Sequence, residues 1–338
     1  MSSTLVLPAP TTPHGGAELR SFADAGVWYL PSDRNSTSWP SCYLAFAFVS
    51  VGEETYRLDA STQWHGTSPT FAFPTLHQPS QHLEQAIFFH ASSPNAGHEF
   101  FAVLNILYSL RADPSSPGQE LCAIVSTQLD EEHGHAMELI RAHFPSERLV
   151  IAPPLTPVLA RKLVCPQLIE IKLFPALGQL PSLLGGVAAG PMRDRVALLK
   201  TPHTVNSSLC ARHFGTSVVD LLEERGFLVV RPEALALRAV FAAVHGARKL
   251  VMSWGCCSYL NSIYAHPDTD VLVLGHEGYQ HELNRLREDG VRPEESPWLP
   301  ERCRSARVLT GLGTELTEET RAVVSEAVRE LCEAAIAS

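Results

Sequence analysis

Two predicted strands in the second half of the chain end beside residues that suit an anion. The strand RVALLK (195–200) ends in Lys200 and precedes Thr201, and the strand KLVMS (249–253) precedes the turn 254–258. Lysine offers a point charge to a phosphate, and Gly255 in the turn lets the backbone approach a ligand closely. A short predicted helix follows that turn, and its N-terminal amides favour an anion. These residues predict a phosphate site; the alternative is a tight strand–helix connection without a ligand.

The turn also contains Cys256 and Cys257. A helix N-terminus lowers a thiol pKa, so a cysteine nucleophile is one interpretation. No cysteine-hydrolase signature surrounds the pair, and none of the eight cysteines has CxxC spacing or a cluster with histidines. We therefore interpret both residues as small packing residues in a turn whose amides bind the ligand.

Two histidine pairs are the remaining candidates for a metal site. His133 and His135 lie in the acidic segment LDEEHGHAMEL, which is typical of an exposed helix start, and His276 and His281 follow a predicted strand. Neither pair has a third ligand at a recognisable spacing. We expect no metal and no cofactor.

The composition excludes several classes of protein. A formal net charge of −10 over 338 residues disfavours binding to nucleic acid or to anionic membranes, although a local basic pocket remains compatible with it. No apolar run approaches the roughly 18–20 residues of a membrane span. The N-terminal stretch MSSTLVLPAPTTPHGG has no basic region typical of a secretory signal. We expect a cytoplasmic protein without a membrane span.

Hydrophobic periodicity predicts an α/β chain. Residues 1–85 have short alternating runs, typical of irregular structure and short strands. From about His98, helical patterns alternate with brief apolar runs, as parallel strands covered by helices require. A Gly/Pro-rich interruption at 181–194 separates two such halves, and a predicted amphipathic helix with Thr317 as its N-cap ends the chain.

The second half also resembles a known family. Residues 226–274 resemble the C-terminal signature of glycosyltransferase family 61, the DUF563 group. A second block, NAGHEFFAVLNILYSLR (95–111), resembles the helix of that family that begins near an Asn and a His. The resemblance spans roughly residues 90–280. The matching positions of the first block are Gly226, Phe227, Pro232, Glu233, Leu235, Ala247, Arg248, Gly255, Asn261 and Pro267.

The resemblance implies a GT-B arrangement of two Rossmann-like halves facing a cleft. On this basis we expect an irregular, β-containing segment at 1–85, an acceptor domain at 86–186, a donor domain at 195–315 and a C-terminal helix at 316–338. The implied activity is an inverting, metal-independent transfer of a sugar from a nucleotide-sugar donor to a hydroxyl on a glycan, protein or small-molecule acceptor.

The resemblance also implies the roles of individual residues. His98 is the expected base, with Glu99 and His90 as neighbouring alternatives, and Asn95 is expected to cap the helix that follows it. Arg248 precedes its strand and is expected to be structural. The expected donor and phosphate residues are Lys200, Thr201, Glu233, Trp254, Gly255, Cys256, Cys257, Ser258 and Asn261. Glu233 has an alternative role as the cap of the helix beginning beside it.

The chain departs from the pattern of the family at three kinds of position. The usual Pro-His-Gly-Ala loop reads Ser253-Trp254-Gly255-Cys256, two usual acidic positions fall at Ala102 and Val273, and Asn261 aligns only with one inserted residue. Trp254 in place of the histidine indicates either a changed donor preference or a lost activity. The alternative function is therefore a catalytically inactive binding or scaffolding protein of the same fold.

Overall fold

The structure is a computed structural model whose chain divides into two compact units, Met1–Gly185 and Gly186–Ser338. The boundary lies within the interruption at 181–194. The structure describes residues 18–30, 46–58, 75–90, 96–112, 120–132, 134–167, 193–199, 213–254, 265–266, 268–280, 284, 287–288 and 303–334.

The first unit is built on a mixed seven-stranded sheet in the order β3-β2-β1-β7-β4-β5-β6. The strands β7, β4, β5 and β6 run parallel to one another, and β1, β2 and β3 add antiparallel pairs at one side. The strands are β1 Glu18–Leu30, β2 Phe46–Val51, β3 Glu54–Leu58, β4 Gln81–Phe89, β5 Cys122–Ser126, β6 Leu149–Ala152 and β7 Val158–Gln167.

Helices connect the parallel strands of this sheet. They are α1 Ala96–Ala112 between β4 and β5, and α2 Thr127–Glu132 and α3 Gly134–His143 between β5 and β6. The apolar residues of α3 recur at helical spacing and are buried, and Phe144 at its end meets the edge of Phe89 of β4 with ring centroids 5.7 Å apart. The helices thus cover the face of the sheet to which Phe89 points.

The residues on the opposite face of the sheet form a second hydrophobic core among themselves. The described members of this core come only from strands, and they include Val27 and Tyr29 of β1, Phe88 of β4 and Ala152 of β6. Tyr29 reaches the ring of His90, the residue after β4, although β7 lies between β1 and β4. A flat sheet would hold these rings far apart, so the sheet must be strongly coiled.

The second unit is a parallel five-stranded sheet in the order β9-β8-β10-β11-β12. Its strands are β8 Arg193–Leu198, β9 Leu228–Val230, β10 Ala247–Ser253, β11 Asp270–His276 and β12 Ser305–Leu312. The helices are α4 Thr216–Glu224, α5 Leu237–His245 and α6 Glu318–Glu333. Buried residues of α4 and α6 share one core cluster with alternate residues of the sheet, whereas α5 packs on β8 and β10.

The prediction of an α/β chain is confirmed. Thr317 caps α6 as expected, because its hydroxyl accepts the amide of Thr320 in a capping box. The prediction of short strands before residue 85 is confirmed by β2, which lies in the run 42–51, and by β3, but β1 has 13 residues paired on both sides. The sequence pattern also missed β4, β7 and β12. The predicted run TFAFPTL (70–76) lies mostly outside the described residues.

A buried charge network ties β10, β11 and the end of α6 together. Lys249 and Asp270 are 3% and 2% exposed, and Lys249 Nζ lies 2.7 Å from Asp270 Oδ2 and 2.7 Å from the carbonyl oxygen of Ala334. Arg304 binds both oxygens of Asp270, and the hydroxyl of Ser305 donates to Oδ1 at 2.7 Å. Burial raises the pKa of Asp270, but these donors lower it by more, to about 2.

Candidate functional site

In the second sheet, the order in which the chain adds strands reverses between β8 and β10. The chain adds β9 on one side of β8 and then returns to place β10, β11 and β12 on the other side. In open α/β sheets, ligands bind beyond the carboxyl ends of the strands at such a switch point. Leu198 pairs with Met252, so the next residues along the two strands bring Leu199 level with Ser253. The predicted donor residues Lys200 and Trp254 are the positions that follow.

Most of the predicted donor residues cannot be located at this edge. Lys200, Thr201, Gly255, Cys256, Cys257, Ser258 and Asn261 lie outside the described residues. Glu233 is described in its backbone only, within the 3₁₀ turn Pro232–Ala234. Since α5 begins at Leu237 with Ala236 as its N-cap, Glu233 does not stand beside the helix start, and the alternative interpretation as its cap is wrong.

Trp254 directly follows β10 and extends its pairing with β11. Its amide donates to the carbonyl of Leu274 of β11 at 2.8 Å, which extends the ladder by one residue. The side chain is 3% exposed, and its indole N–H has no hydrogen-bond partner among the described residues. A buried donor without an acceptor costs about 1–3 kcal/mol. Trp254, at the position where the resemblance predicts a loop histidine, is thus a buried ring whose donor has no acceptor in the described part of the chain.

Both ring nitrogens of His276, at the end of β11, form hydrogen bonds. Its Nδ1 accepts the amide of Gly278 at 3.0 Å, so Nε2 carries the proton and donates to the hydroxyl of Thr314 at 3.1 Å. The ring also meets the edge of Phe214. His281 lies outside the described residues, and no group of three potential metal ligands occurs within the described ranges. His276 therefore has a structural role at this edge.

The N-terminus of α4 already holds an anion. The carboxylate of Glu315 accepts the amides of Thr216 at 3.2 Å and Ser217 at 3.0 Å. The Ser217 hydroxyl and these amides lower the pKa of Glu315. A Cβ at Gly215 would overlap the carboxylate, so the glycine is required for this approach. In doubly wound folds this helix end commonly binds phosphate, but here an internal side chain occupies it.

The first sheet has its own switch point, between β4 and β7. The chain builds β4, β5 and β6 outward and then places β7 on the other side of β4. The expected base, His98, lies in the first turn of α1, the helix that follows β4, but its side chain lies outside the described residues, as does Asn95. Its neighbour Glu99 is buried.

His90, the other alternative base, directly follows β4 and belongs to a defined group of side chains. Its ring lies against Tyr29, with centroids 5.3 Å apart, and is stacked on Phe88 at 5.6 Å. Thr127, the residue after β5, donates its hydroxyl to the carbonyl of Ala152 at the end of β6. We refer to Tyr29, Phe88, His90 and Thr127 as the His90 cluster.

The hydroxyl of Tyr29 lies inside this cluster. Burial raises the pKa of Tyr29, whereas the Thr127 hydroxyl and the nearby amides of Gln128 and Thr127 lower it by less. These groups lie close, but none of the described ones forms a hydrogen bond of full geometry with the Tyr29 hydroxyl. The end of β1 is held there by Leu155, whose amide donates to the Tyr29 carbonyl at 3.0 Å from a backbone with φ of +59°.

Other sequence candidates lie away from these edges. Arg248 is the second residue of β10 rather than the residue before it, and it is exposed at the amino end of the strand. The described cysteines, Cys122, Cys165, Cys303 and Cys332, are free thiols, and burial raises the pKa of Cys165. None of these residues contributes to the switch points.

No model of a known protein family matches the chain, and no curated protein matches it. Within the described part of the chain, no helix has the length and apolarity that crossing a membrane requires. The resemblance to glycosyltransferase family 61 therefore remains a prediction.

The sequence pattern missed the residues that the structure adds to the candidate sites. Thr127 follows a predicted strand, so the strand-end rule applied to the second half would have found it. Tyr29 carries no such signal, because only the curvature of the sheet brings it to His90. Glu315 lies outside any strand or helix, and nothing in its local sequence connects it to α4.

Proposed function

We propose that the chain is a glycosyltransferase that takes a sugar from a nucleotide-sugar donor. The observation that carries the proposal is topological. The predicted donor residues Lys200 and Trp254 follow the two strands that flank the switch point of the second sheet, and the expected base follows β4 at the switch point of the first. Ligand sites in α/β sheets occur at such points.

The proposed reaction assigns one step to each group. An acceptor hydroxyl oxygen bonds to the anomeric carbon while the bond from that carbon to the diphosphate oxygen breaks, and the electron pair leaves with the nucleoside diphosphate. His98 takes the hydroxyl proton. Lys200 and the amides of the turn 255–258 balance the negative charge that develops on the leaving group. The proposal requires no metal.

The closed end of α4 limits where the diphosphate can bind. Since Glu315 occupies those amides, the proposal places the diphosphate at Lys200 and the turn after β10. The indole N–H of Trp254, at the end of β10, has no acceptor among the described residues, but it is buried and reaches a ligand only if the ring moves. These features support binding of an anionic group at the switch point.

A second candidate is a catalytically inactive protein of the same fold. The burial of Trp254 favours it, because the position no longer offers an exposed, titratable side chain for a phosphate. Calorimetric titration with UDP-, GDP- and CMP-sugars separates the candidates when it is combined with a long incubation that detects hydrolysis of the donor. Binding with slow hydrolysis supports the enzyme. Failure to bind any of these donors, with no hydrolysis, overturns the enzyme and leaves the inactive binding or scaffolding protein.

A further inference from the structure

The concave face of the first sheet ends in polar side chains at the carboxyl ends of β4 and β5. This face is otherwise apolar, with strand residues such as Val27, Ala86 and Ile124 in its core. At the carboxyl ends of β4 and β5, His90 and Thr127 are half-buried, and the hydroxyl of Tyr29 lies beneath them. An apolar concave surface with a few convergent polar groups is the usual form of a small-molecule site.

The Tyr29 hydroxyl is the group that points to a ligand. It is buried and lacks a hydrogen bond of full geometry among the described residues. The Thr127 hydroxyl beside it is committed as a donor to Ala152, at 3.1 Å. A ligand hydroxyl that enters between His90 and Thr127 would supply the missing partner, with a change of side-chain rotamer of the kind common on binding.

The charges near the cluster favour a neutral ligand. The four members of the His90 cluster are two aromatic residues, an imidazole and a hydroxyl, so none carries a fixed positive charge. Among the causes that shift the pKa of Tyr29, the one charged group is the exposed carboxylate of Glu131 in α2, which further raises that pKa. A negative ligand would be repelled by that carboxylate.

We propose that the His90 cluster binds a neutral, hydroxyl-bearing ligand such as a sugar ring, with Tyr29 and Thr127 holding one of its hydroxyl groups. The binding site itself does not depend on the proposed function. Only the role of its ligand as the acceptor of the transferred sugar rests on that function. His90 and Tyr29 are binding residues in this inference, and the reacting proton remains assigned to His98.

The test uses the full chain with ¹³C-labelled histidine rings and follows the ring signal of His90 by NMR. The probes are methyl glycosides of glucose, galactose, mannose and N-acetylglucosamine, titrated to millimolar concentrations. The internal control is His82, which is exposed near the amino end of the same strand, β4. We expect at least one glycoside to shift His90 saturably while His82 stays unchanged, and inorganic phosphate to shift neither.

Tyr29→Phe is the decisive variant because it keeps the ring and removes only the hydroxyl. We expect it to weaken glycoside binding about three- to tenfold, the value of one hydrogen bond. Without ligand, its melting temperature should equal or exceed that of the parent, because the hydroxyl is not well bonded in the folded protein. A clear fall in melting temperature would indicate a structural role instead. Thr127→Val is a second variant with the same expected loss of affinity.

Three results would overturn the inference. The first is a His90 signal that no glycoside shifts. The second is glycoside binding to Tyr29→Phe and Thr127→Val with the same affinity as to the parent protein. The third is a saturable shift of the His90 signal by inorganic phosphate. Failure of the proposed function appears differently, as absence of binding to every nucleotide sugar. Glycoside binding at His90 without nucleotide-sugar binding would leave this site intact and remove its role as an acceptor site.

Discussion

Replacing Asp270 with asparagine should destabilise the second unit by about 2–5 kcal/mol. The asparagine has the shape of the aspartate but no charge, so Lys249 would remain buried, at 3% exposure, without its counter-ion. Removing one partner of a buried ion pair typically costs about 3–5 kcal/mol. Arg304 would lose its carboxylate partner as well, although its own exposure lets water replace part of that interaction.

The pKa of Asp270 gives an independent magnitude. The carboxyl group titrates near 3.8 when unperturbed and at about 2 in the folded chain. The difference of nearly two units corresponds to about 2 kcal/mol of stabilisation of the ionised form. Because the folded pKa is lowered, this contribution is fully present above pH 3.8 and is lost as the pH falls from there towards 2.

Urea unfolding of the full chain, followed by circular dichroism at several pH values, measures both effects. The loss caused by Asp270→Asn should stay constant between about pH 7 and 5 and should shrink below about pH 4, as the parent protein loses the same charge. Asp268→Asn is the matched control, since its side chain is 82% exposed two residues earlier. We expect the control to change the free energy of unfolding by less than about 0.5 kcal/mol.

Two results would refute this reasoning. One is an Asp270→Asn protein within about 0.5 kcal/mol of the parent at pH 7, which would mean that the network contributes little net stability, as some buried ion pairs do. The other is a difference that persists unchanged below pH 3, which would assign the loss to packing rather than to charge.

Three further predictions test other parts of the chain. Gly215→Ala should lower the free energy of unfolding by about 0.5–1 kcal/mol, because its Cβ displaces the exposed Glu315 carboxylate from the amides of α4. Urea unfolding with Gly134→Ala as the control measures it. Thr317→Ala should cost about 1 kcal/mol in the same assay through loss of the α6 cap. If nucleotide sugars bind, His98→Ala should lower the transfer rate about 10²–10⁴-fold and leave the donor affinity measured by calorimetry unchanged. Lys200→Ala should weaken donor binding. A loss of donor affinity in His98→Ala, with unchanged donor affinity in Lys200→Ala, contradicts the assigned roles.

Local patterns in the sequence predicted elements well where periodicity and capping agree. The helices α1, α3 and α6 follow from apolar residues at helical spacing, and Thr317 follows from cap chemistry. The strand β12 was missed because SARVLTGL has only a partly buried, irregular apolar pattern. The strand β1 was missed because Asp24, with φ of +46°, interrupts the regular alternation within one continuous strand.

The candidate sites were predictable only at the level of strand ends. The rule that ligands bind beyond the carboxyl ends of parallel strands needs the order of the strands, and the sequence does not contain that order explicitly. Contacts such as Glu315 with Thr216, or Tyr29 with His90, join residues that are distant in the chain. They depend on tertiary packing and sheet curvature, which no local pattern encodes.

The polar groups at the carboxyl ends of the strands have different hydrogen-bond partners in the two sheets. This difference affects which ligands each sheet can bind. In the second unit, the amides of α4 and both nitrogens of His276 are satisfied internally, by Glu315, Gly278 and Thr314. Among the described residues, the indole N–H of Trp254 has no acceptor there, and donors suit anions. In the first unit, the Tyr29 hydroxyl has no hydrogen bond of full geometry within the described part of the chain, and the charge of Glu131 further raises its pKa, which suits a neutral hydroxyl. A transfer between a charged donor and an uncharged acceptor needs one site of each kind.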